Sequence, residues 1–384
     1  MATNKHHFQD LRVVHIIESA GAGVGRHVLD VIADQKAAGL SVSLIYSPLR
    51  MDQMFATDLP ALQPLKCFSV NIERAIGPSD ISSIIKVRRI LRKEKFDIVH
   101  GHSSKGGAIA RVAAIGLGVP VVYTPHCLAS MAQSMGRMAR RFYGCVEIGL
   151  SLLTDRIIAT STEEAEHLVS LGIAKRKVAL IRNAIRMPNV PVDRSRSRSS
   201  LAIKDDEIVI GFVGRLVEQK NPNILFRTFG KIAKVFPKAI LAIVGEGHLE
   251  PALRNLANDL GIQGRVRWLG FQNGSEVIPS FDVLAIPSTY ETGPIVMMEA
   301  MSVGVPVVVT RVGCASETIE DRINGCLVDV GSEIQLEHAL TALLESKEFR
   351  ESIGRRGMES ASQFSAKEMV QRILDLYAQL LARD

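Results

Sequence analysis

Two glutamates bracket the run Glu291-Thr-Gly-Pro-Ile-Val-Met-Met-Glu299. The first follows the strand-like Val283-Leu-Ala-Ile-Pro-Ser, and the second falls in the first turns of a helix that continues through Ala300 and Met301. A helix start carries backbone N–H groups without intrahelical partners and a partial positive charge. A ligand with both phosphate and hydroxyl groups could use the whole run, with amides on the phosphate and carboxylates on sugar hydroxyls. The plainer alternative is a Glu299 that merely suits the helix dipole and a solvated Glu291. The motif alone does not choose between them.

Cations of the right kind stand elsewhere. Val213-Gly-Arg-Leu-Val-Glu-Gln-Lys220 begins at the carboxyl end of the strand-like Ile208–Val213. Arg215 as a planar fork and Lys220 as a point charge could together balance a diphosphate. Any Arg and Lys can also be ordinary surface cations, but the strand-end position and the glycine before Arg215 favour function. Gly21-Ala-Gly-Val-Gly25 follows another strand and opens a helix, the place for a phosphate-cradling or acceptor-contacting loop, or for a tight turn that needs positive φ. It is not a dinucleotide fingerprint, because the third glycine of G-x-G-x-x-G falls on Arg26 and no acid ends the next strand.

Histidines form a third group. His126 follows the strand-like Val121–Thr124 through Pro125, where it could donate to a phosphate or a sugar hydroxyl, or simply cap loop backbone. Cys127 beside it invites a Cys–His reading, but sequence neighbours rarely align as nucleophile and base, and no third, orienting group is apparent. His100, His102 and Lys105 cluster at another strand end. His-x-His spacing suits a metal, yet no further ligand is evident. The chain has no Asp-x-Asp, so neither a metal-dependent nucleotide-sugar site nor any other metal or cofactor is expected.

These residues need elements to hold them. Leu11–Ile17, Val42–Tyr46, Phe96–His100 and Val119–Thr124 read as buried strands separated by helices, which implies parallel βαβ units. The first intervening helix is expected from about Arg26 to Ala38. Leu180–Lys204 breaks the rhythm with Pro188, Pro191 and the basic run Arg194-Ser-Arg-Ser-Arg-Ser-Ser200, a segment expected to pack poorly and to mark the domain boundary. The rhythm restarts with Ile208–Val213, Ile240–Val244, Val266–Leu269, Val283–Ile286 and Val305–Val309, and Phe364–Leu381 reads as a closing amphipathic helix. The expected domains are 1–190, 200–365 and a terminal helix 366–384. Two doubly wound α/β domains facing a cleft would bind ligand at their strands' carboxyl ends.

The bulk numbers bound the class. The 384 residues are 47% hydrophobic and 22% charged, as in ordinary globular domains. Aromatic residues make up 5%, which argues against a nucleic-acid stacking surface. The five cysteines are scattered without a CxxC, as reduced intracellular thiols would be. The start, Met1 to His7, lacks the apolar core of a signal peptide, and a cytoplasmic location is expected. A net charge of +6 favours anionic partners. Within Lys86–Lys95, Lys86, Arg88, Arg89, Arg92, Lys93 and Lys95 lie around Ile84, Val87 and Leu91 at helical spacing. The plain reading is a solvated helix face. The alternative, extended by Arg137, Arg140 and Arg141, is a patch for an anionic membrane surface.

Taken together, the order and spacing of these motifs resemble the family 4 glycosyltransferases, retaining enzymes of the GT-B fold, over nearly the whole chain. Arg26-His27-Val28 is similar to the end of the family's first loop, and His102-Ser-Ser-Lys-Gly-Gly107 and Tyr123-Thr-Pro-His126 resemble its bacterial polysaccharide branch. Gly214-Arg215 through Lys220, Val244-Gly-Glu-Gly247 and the paired glutamates complete the set. The resemblance implies that Arg215 and Lys220 hold a donor diphosphate, Glu299 the ribose hydroxyls and Glu291 those of the transferred sugar, with His126 beside that sugar. Gly25, Gly245, Gly293, Ile295 and Val296 would be further donor contacts. The final helix would cross back to the first domain. Three positions depart from the family: Thr292-Gly-Pro-Ile295 after the first glutamate, Cys127 in place of a glycine, and Ala184 after Asn183. Pro294 has no N–H for a phosphate, so Gly293, Ile295 and Val296 must supply the amides.

The resulting expectation is a retaining, metal-independent hexosyltransferase. It would move sugar from a nucleotide sugar, UDP-linked, to a saccharide or polyprenyl-diphosphate-linked acceptor for surface polysaccharide. It would work in the cytoplasm, peripherally on the inner face of the membrane, with no nucleic-acid partner. The alternatives are a nucleotide-sugar epimerase of the same shape and a non-catalytic sugar-nucleotide-binding partner.

Overall fold

The computed structural model describes residues 11–63, 65–132, 135–186 and 193–382. The N-terminal start and the linker prolines Pro188 and Pro191 lie outside the described residues. The chain divides into two compact units, Met1–Arg186 with Ala366–Asp384, and Met187–Ser365.

In the first unit the strands are β1 (Arg12–Ile17), β2 (Ser41–Tyr46), β3 (Lys66–Ser69), β4 (Ile98–His102), β5 (Val121–Thr124), β6 (Arg156–Ala159) and β7 (Val178–Leu180). They form one parallel sheet in the order β3-β2-β1-β4-β5-β6-β7. Helices α1 (Ala22–Ala37), α2 (Gln53–Asp58), α3 (Ser79–Glu94), α4 (Ser104–Ala113), α5 (Arg137–Ser151) and α6 (Thr162–Ser170) supply the crossovers and cover. Val14, Ile16, Val99 and Ile109 lie in a core where sheet meets helix, so the central strands are apolar throughout rather than alternating. The strand order reverses between β1 and β4, the kind of switch point where loops part and ligands enter such sheets.

The second unit repeats the plan. It begins with α7 (Arg194–Ser200) and β8 (Ile208–Val213), then α8 (Pro222–Val235), β9 (Ala239–Val244), α9 (Glu250–Asp259) and β10 (Val266–Gly270). After these come α10 (Gly274–Val277), β11 (Val283–Ile286), α11 (Ile295–Ser302), β12 (Val307–Thr310), α12 (Ala315–Thr318) and β13 (Cys326–Val328). Helices α13 (Glu333–Glu345) and α14 (Lys347–Ala361) close the unit. Its parallel sheet runs β10-β9-β8-β11-β12-β13, with the order reversing between β8 and β11. Phe212, Phe226, Phe229, Leu241 and Leu340 anchor its core. The terminal helix α15 (Ala366–Leu381) belongs to the first unit, where it lies against α1 and buries Met369, Ile373, Tyr377 and Leu380. Among the described residues, no helix is long and apolar enough to cross a membrane.

Two sequence expectations are corrected. The glycine-rich stretch is not a turn ahead of a helix at Arg26. Helix α1 already starts at Ala22, and the positive φ falls on Ala22 (48°) while Gly21 is extended. The basic run Arg194–Ser200 is not a poorly packed linker either. It is α7, capped by the Asp193 side chain, with Ser197 and Arg198 buried. Arg198 donates to the carbonyls of Ser280 (3.1 Å) and Glu207 (2.7 Å), and Arg194 to Pro279 O (3.0 Å) and the Asp282 carboxylate (2.9 Å). Guanidinium groups that satisfy turn carbonyls are structural residues, which composition alone cannot tell from a solvated basic tract.

Candidate active site

The acid and the base expected to face a nucleotide sugar meet at the switch point of the second sheet. Lys220 ends a single 3-10 turn, Glu218–Lys220, after β8, and Glu291 lies in the loop after β11. Neighbouring parallel strands bring their carboxyl-end loops side by side. Lys220 Nζ forms an ion pair with Glu291 Oε1, which also accepts from Ser288 Oγ at 3.0 Å. Backbone contacts fix the two loops together: Thr289 N donates to Gln219 O at 2.7 Å, and Gln219 Nε2 to Tyr290 O at 3.2 Å. Both charges are largely withdrawn from water. An ammonium has three donors, so Lys220 can keep its carboxylate and still offer protons to a phosphate.

Glu299 is placed differently from Glu291. It is the fifth residue of α11, half-buried, and its Oε2 faces Gly274, where an added Cβ would come within 3.0 Å of it. Pro294 occupies the N-cap of α11, and Met297 N donates back to its carbonyl at 3.1 Å. The helix therefore opens with the amides of Ile295 and Val296, and the missing proline N–H falls just outside it. Thr292 O accepts from Cys314 N at 2.9 Å, which ties the Thr292–Gly293 segment to the loop after β12. Arg215 lies two residues past β8 and is exposed.

The glycines hold the loops close. Gly245 has φ 120°, and a Cβ there would stand 2.1 Å from Gly214 O. Its amide donates to Gly270 O at 2.7 Å. What Gly245 offers is close approach of three strand-end loops rather than an N–H for a ligand. In the first unit, Gly25 N donates to Gly21 O at 2.9 Å within α1, and a Cβ on Gly25 would meet the Phe55 ring at 3.0 Å. Asp52, which the motifs did not single out, takes the anion position here. Its Oδ2 accepts from Ala22 N (2.6 Å) and its Oδ1 from Phe55 N (2.8 Å), capping two helix starts with one carboxylate. A phosphate at that helix start would have to displace the chain's own acid.

His126 is part of a histidine array that sequence spacing only hinted at. His102 Nδ1 lies 3.1 Å from His126 Nε2, and His102 Nε2 lies 2.9 Å from His15 Nδ1. His15 Nε2 lies 2.8 Å from Gln35 Oε1. His100 bridges Tyr377 OH (2.6 Å) and Thr124 Oγ1 (2.8 Å). His27 packs edge-on to the His126 ring, with centroids 4.6 Å apart. Burial pushes His15 down to about 4 and His27 to about 3, and holds His100, His102 and His126 well below the usual imidazole range. All five are neutral near pH 7. Lys105 points away from them, paired with Asp80 at 2.6 Å.

His126 and Cys127 both have positive φ, 57° and 134°, conformations that side chains avoid unless held. Glu164 holds them. This buried carboxyl accepts from Thr160 N (2.8 Å) and from the Cys127 backbone, and burial pushes it up to about 7. Ser161 and Glu164 together cap α6, so the local sequence reads only as a capping pair and its second task was not visible.

Known proteins bear on this geometry. Residues 193–360 match the family model of glycosyl transferases group 1, and residues 21–187 match that of glycosyltransferase family 4. A D-inositol 3-phosphate glycosyltransferase of Actinosynnema mirum is 30% identical over 309 residues, 75% of this chain and 73% of that protein. The Escherichia coli UDP-Gal:alpha-D-GlcNAc-diphosphoundecaprenol alpha-1,3-galactosyltransferase is 28% identical over 312 residues, 79% of this chain and 80% of that protein. The crystal structure of Anabaena HepE in complex with UDP and glucose has a TM-score of 0.81 at 22% identity, covering 96% of this chain and 100% of that one. Fold and sequence together define a glycosyltransferase of the GT-B class. Within that class, the chain belongs to the family 4 glycosyltransferases.

Proposed function

We propose that this glycosyltransferase moves a hexosyl group from a UDP-sugar to a saccharide or polyprenyl-diphosphate-linked acceptor, with retention of configuration and without a metal at the donor. The observation that carries the reading is the Lys220–Glu291 pair at the switch point, beside the start of α11. Departure of a nucleoside diphosphate builds negative charge on its outer phosphate. Lys220, Arg215 and the amides of Ile295 and Val296 would stabilise that charge, and Glu291 would accept hydroxyls of the transferred sugar. Glu299 would accept from the ribose. The neutral His126 would meet a sugar hydroxyl, and with its Nε2 proton given to His102 its Nδ1 would act as acceptor rather than donor. With no protein nucleophile singled out, retention follows from front-face attack in which the leaving phosphate takes the acceptor's proton. The lipid-linked acceptor draws its support from the Escherichia coli UDP-Gal:alpha-D-GlcNAc-diphosphoundecaprenol galactosyltransferase, and the UDP donor from that relative and from HepE with bound UDP and glucose.

The proposal includes work at an anionic membrane surface. Helix α5 buries Gly144, Glu147 and Ser151 and exposes Met138 (85%) and Phe142 (57%) beside Arg137 and Arg141, and Leu152 just past its end is 79% exposed. A helix that hides small and polar residues and shows apolar ones next to arginines suits a headgroup boundary. Flotation with phosphatidylglycerol vesicles should recover the wild type and lose the Phe142→Ser/Leu152→Ser double variant. Equal recovery of both, or of neither, would contradict this part.

Transfer is tested with purified protein, a panel of nucleotide sugars and EDTA. Lys220→Ala should lower kcat by about 10²–10³, the usual effect of losing one preorganised charge-stabilising donor. Glu299→Ala should mainly raise KM for the nucleotide sugar. Conversion of the UDP-sugar to its epimer without acceptor and without net UDP release would indicate the epimerase alternative, and binding without turnover the non-catalytic one.

A further inference from the structure

We infer that His27, His102 and His126 form a binding site for a divalent transition-metal cation of the zinc class, separate from the charge balance of the donor diphosphate. Each offers one ring nitrogen, and the three ligand atoms lie within 4.8 Å of one another. The absence of Asp-x-Asp bears only on a carboxylate-held metal at the donor, not on an all-nitrogen site.

The hydrogen-bond network decides which nitrogens are available. With Gln35 Oε1 as acceptor, His15 carries its proton on Nε2, and its Nδ1 is bare. That bare nitrogen accepts from His102 Nε2, so His102 Nδ1 is bare in turn and accepts from His126 Nε2; a cation between the two would replace that hydrogen bond, with the His126 proton moved to Nδ1. The same assignment satisfies the rest of the array: Gln35 Nε2 faces Tyr377 OH, and that hydroxyl can donate to His100 Nδ1 while His100 Nε2 donates to Thr124 Oγ1. A histidine ligand whose other N–H is given to a second acceptor is oriented and made more basic for a metal, as His102 is by His15 and Gln35. A tetrahedral cation with bonds of about 2.0–2.1 Å to imidazole nitrogen separates two such ligands by roughly 3.3 Å. His102 Nδ1 and His126 Nε2 are 3.1 Å apart.

His27 supplies the independent observation. It is 4% exposed on α1, and neither of its ring nitrogens has a hydrogen-bond partner. Leaving a buried polar group unmatched carries a stability cost. A cation shared with its two neighbours would repay that cost, and the three imidazoles are already in the neutral form that ligates. The other possible trio, His15, His100 and His102, is a poorer site, because Gln35, Thr124 and Tyr377 already use its nitrogens. His126 is half-buried rather than sealed in, and a three-histidine ligand set would take water as its fourth ligand.

The test uses the full chain carrying His6→Ala and His7→Ala, stripped with EDTA, desalted and titrated with Zn²⁺ against a chromophoric indicator. One equivalent should bind at micromolar concentration or below and raise Tm. His27→Phe, which keeps ring volume, should lose both effects, and Gln35→Leu should weaken binding about 10–100-fold through the freed His15. Binding by the His6/His7-substituted chain below one equivalent, or undiminished binding once His27→Phe is added to it, would overturn the proposal. Should His27→Phe fail to fold, Co²⁺ added to the His6/His7-substituted chain decides: intense tetrahedral visible bands support the site, and only weak octahedral absorption overturns it.

Discussion

Lys220 and Glu291 show what spacing can and cannot reveal. Strand-end position and residue type marked each as a ligand-facing charge, but nothing in the sequence says that they pair with each other 71 positions apart. Asp52 and Glu164 escaped notice for a related reason: a carboxylate that caps a helix looks the same in sequence whether it also holds a second loop or not. The histidines were visible singly, and only the parallel register of β1, β4 and β5 stacks them into one array. That array makes a pH prediction. Histidines whose folded pKa lies below the unfolded 6.5 add stability above pH 6.5 that is lost as pH falls through their folded values, about 4 for His15 and about 3 for His27. His15 alone accounts for about 3 kcal/mol, at 1.36 kcal/mol per pKa unit. Glu164, pushed up to about 7, works the other way, with stability present below its unfolded value of 4.5 and lost as pH rises through 7. Five histidines outweigh one glutamate. Thermal melts should therefore show Tm falling from pH 6.5 to 4.5, and a flat or rising Tm would contradict the neutral array.

Helices and strands were legible where apolar runs were long. Ile208–Val213 and Val283–Ile286 are found at their expected bounds, and the other expected strands are found within a few residues of theirs. Four strands were not foreseen: β3, β6, β7 and β13. Each has only three or four residues, and β3, β7 and β13 are sheet edges, so their periodicity is too brief to stand out from loop. Helix α5 shows a different limit. Its apolar residues sit mainly on the outside, and its attachment is ionic: Arg111 Nη1 of α4 meets Glu147 Oε1 at 2.5 Å, while the guanidinium stacks 3.8 Å above the Tyr123 ring of β5. Removing one partner of a buried pair leaves an uncompensated charge and costs about 3–5 kcal/mol. Chemical denaturation of Glu147→Ala should show a loss of that size. A loss under 1 kcal/mol would mean that α5 is held by something else.

Across the whole chain, the repeated strand–helix rhythm was the strongest signal, and it gave two doubly wound units because fully buried parallel strands are apolar from end to end. The return of the last helix to the first unit is written in long-range polar contacts that no local pattern carries. Ala366 N donates to Ile185 O at 3.2 Å, and Tyr377 OH sits between His100 and Gln35. Tyr377→Phe leaves His100 Nδ1 without its partner in a dry site, and should cost about 1–3 kcal/mol in urea denaturation. An unchanged midpoint would remove Tyr377 from the account. The central claim, that this family 4 enzyme transfers sugar from a UDP-linked donor by placing Lys220 on the leaving diphosphate, is tested most directly by single-turnover transfer with a UDP-hexose panel in EDTA. The account predicts transfer by the wild type and a drop of about 10²–10³ in rate for Lys220→Ala. A wild type that needs an added divalent cation for every donor, or a Lys220→Ala enzyme as fast as the wild type, would contradict it.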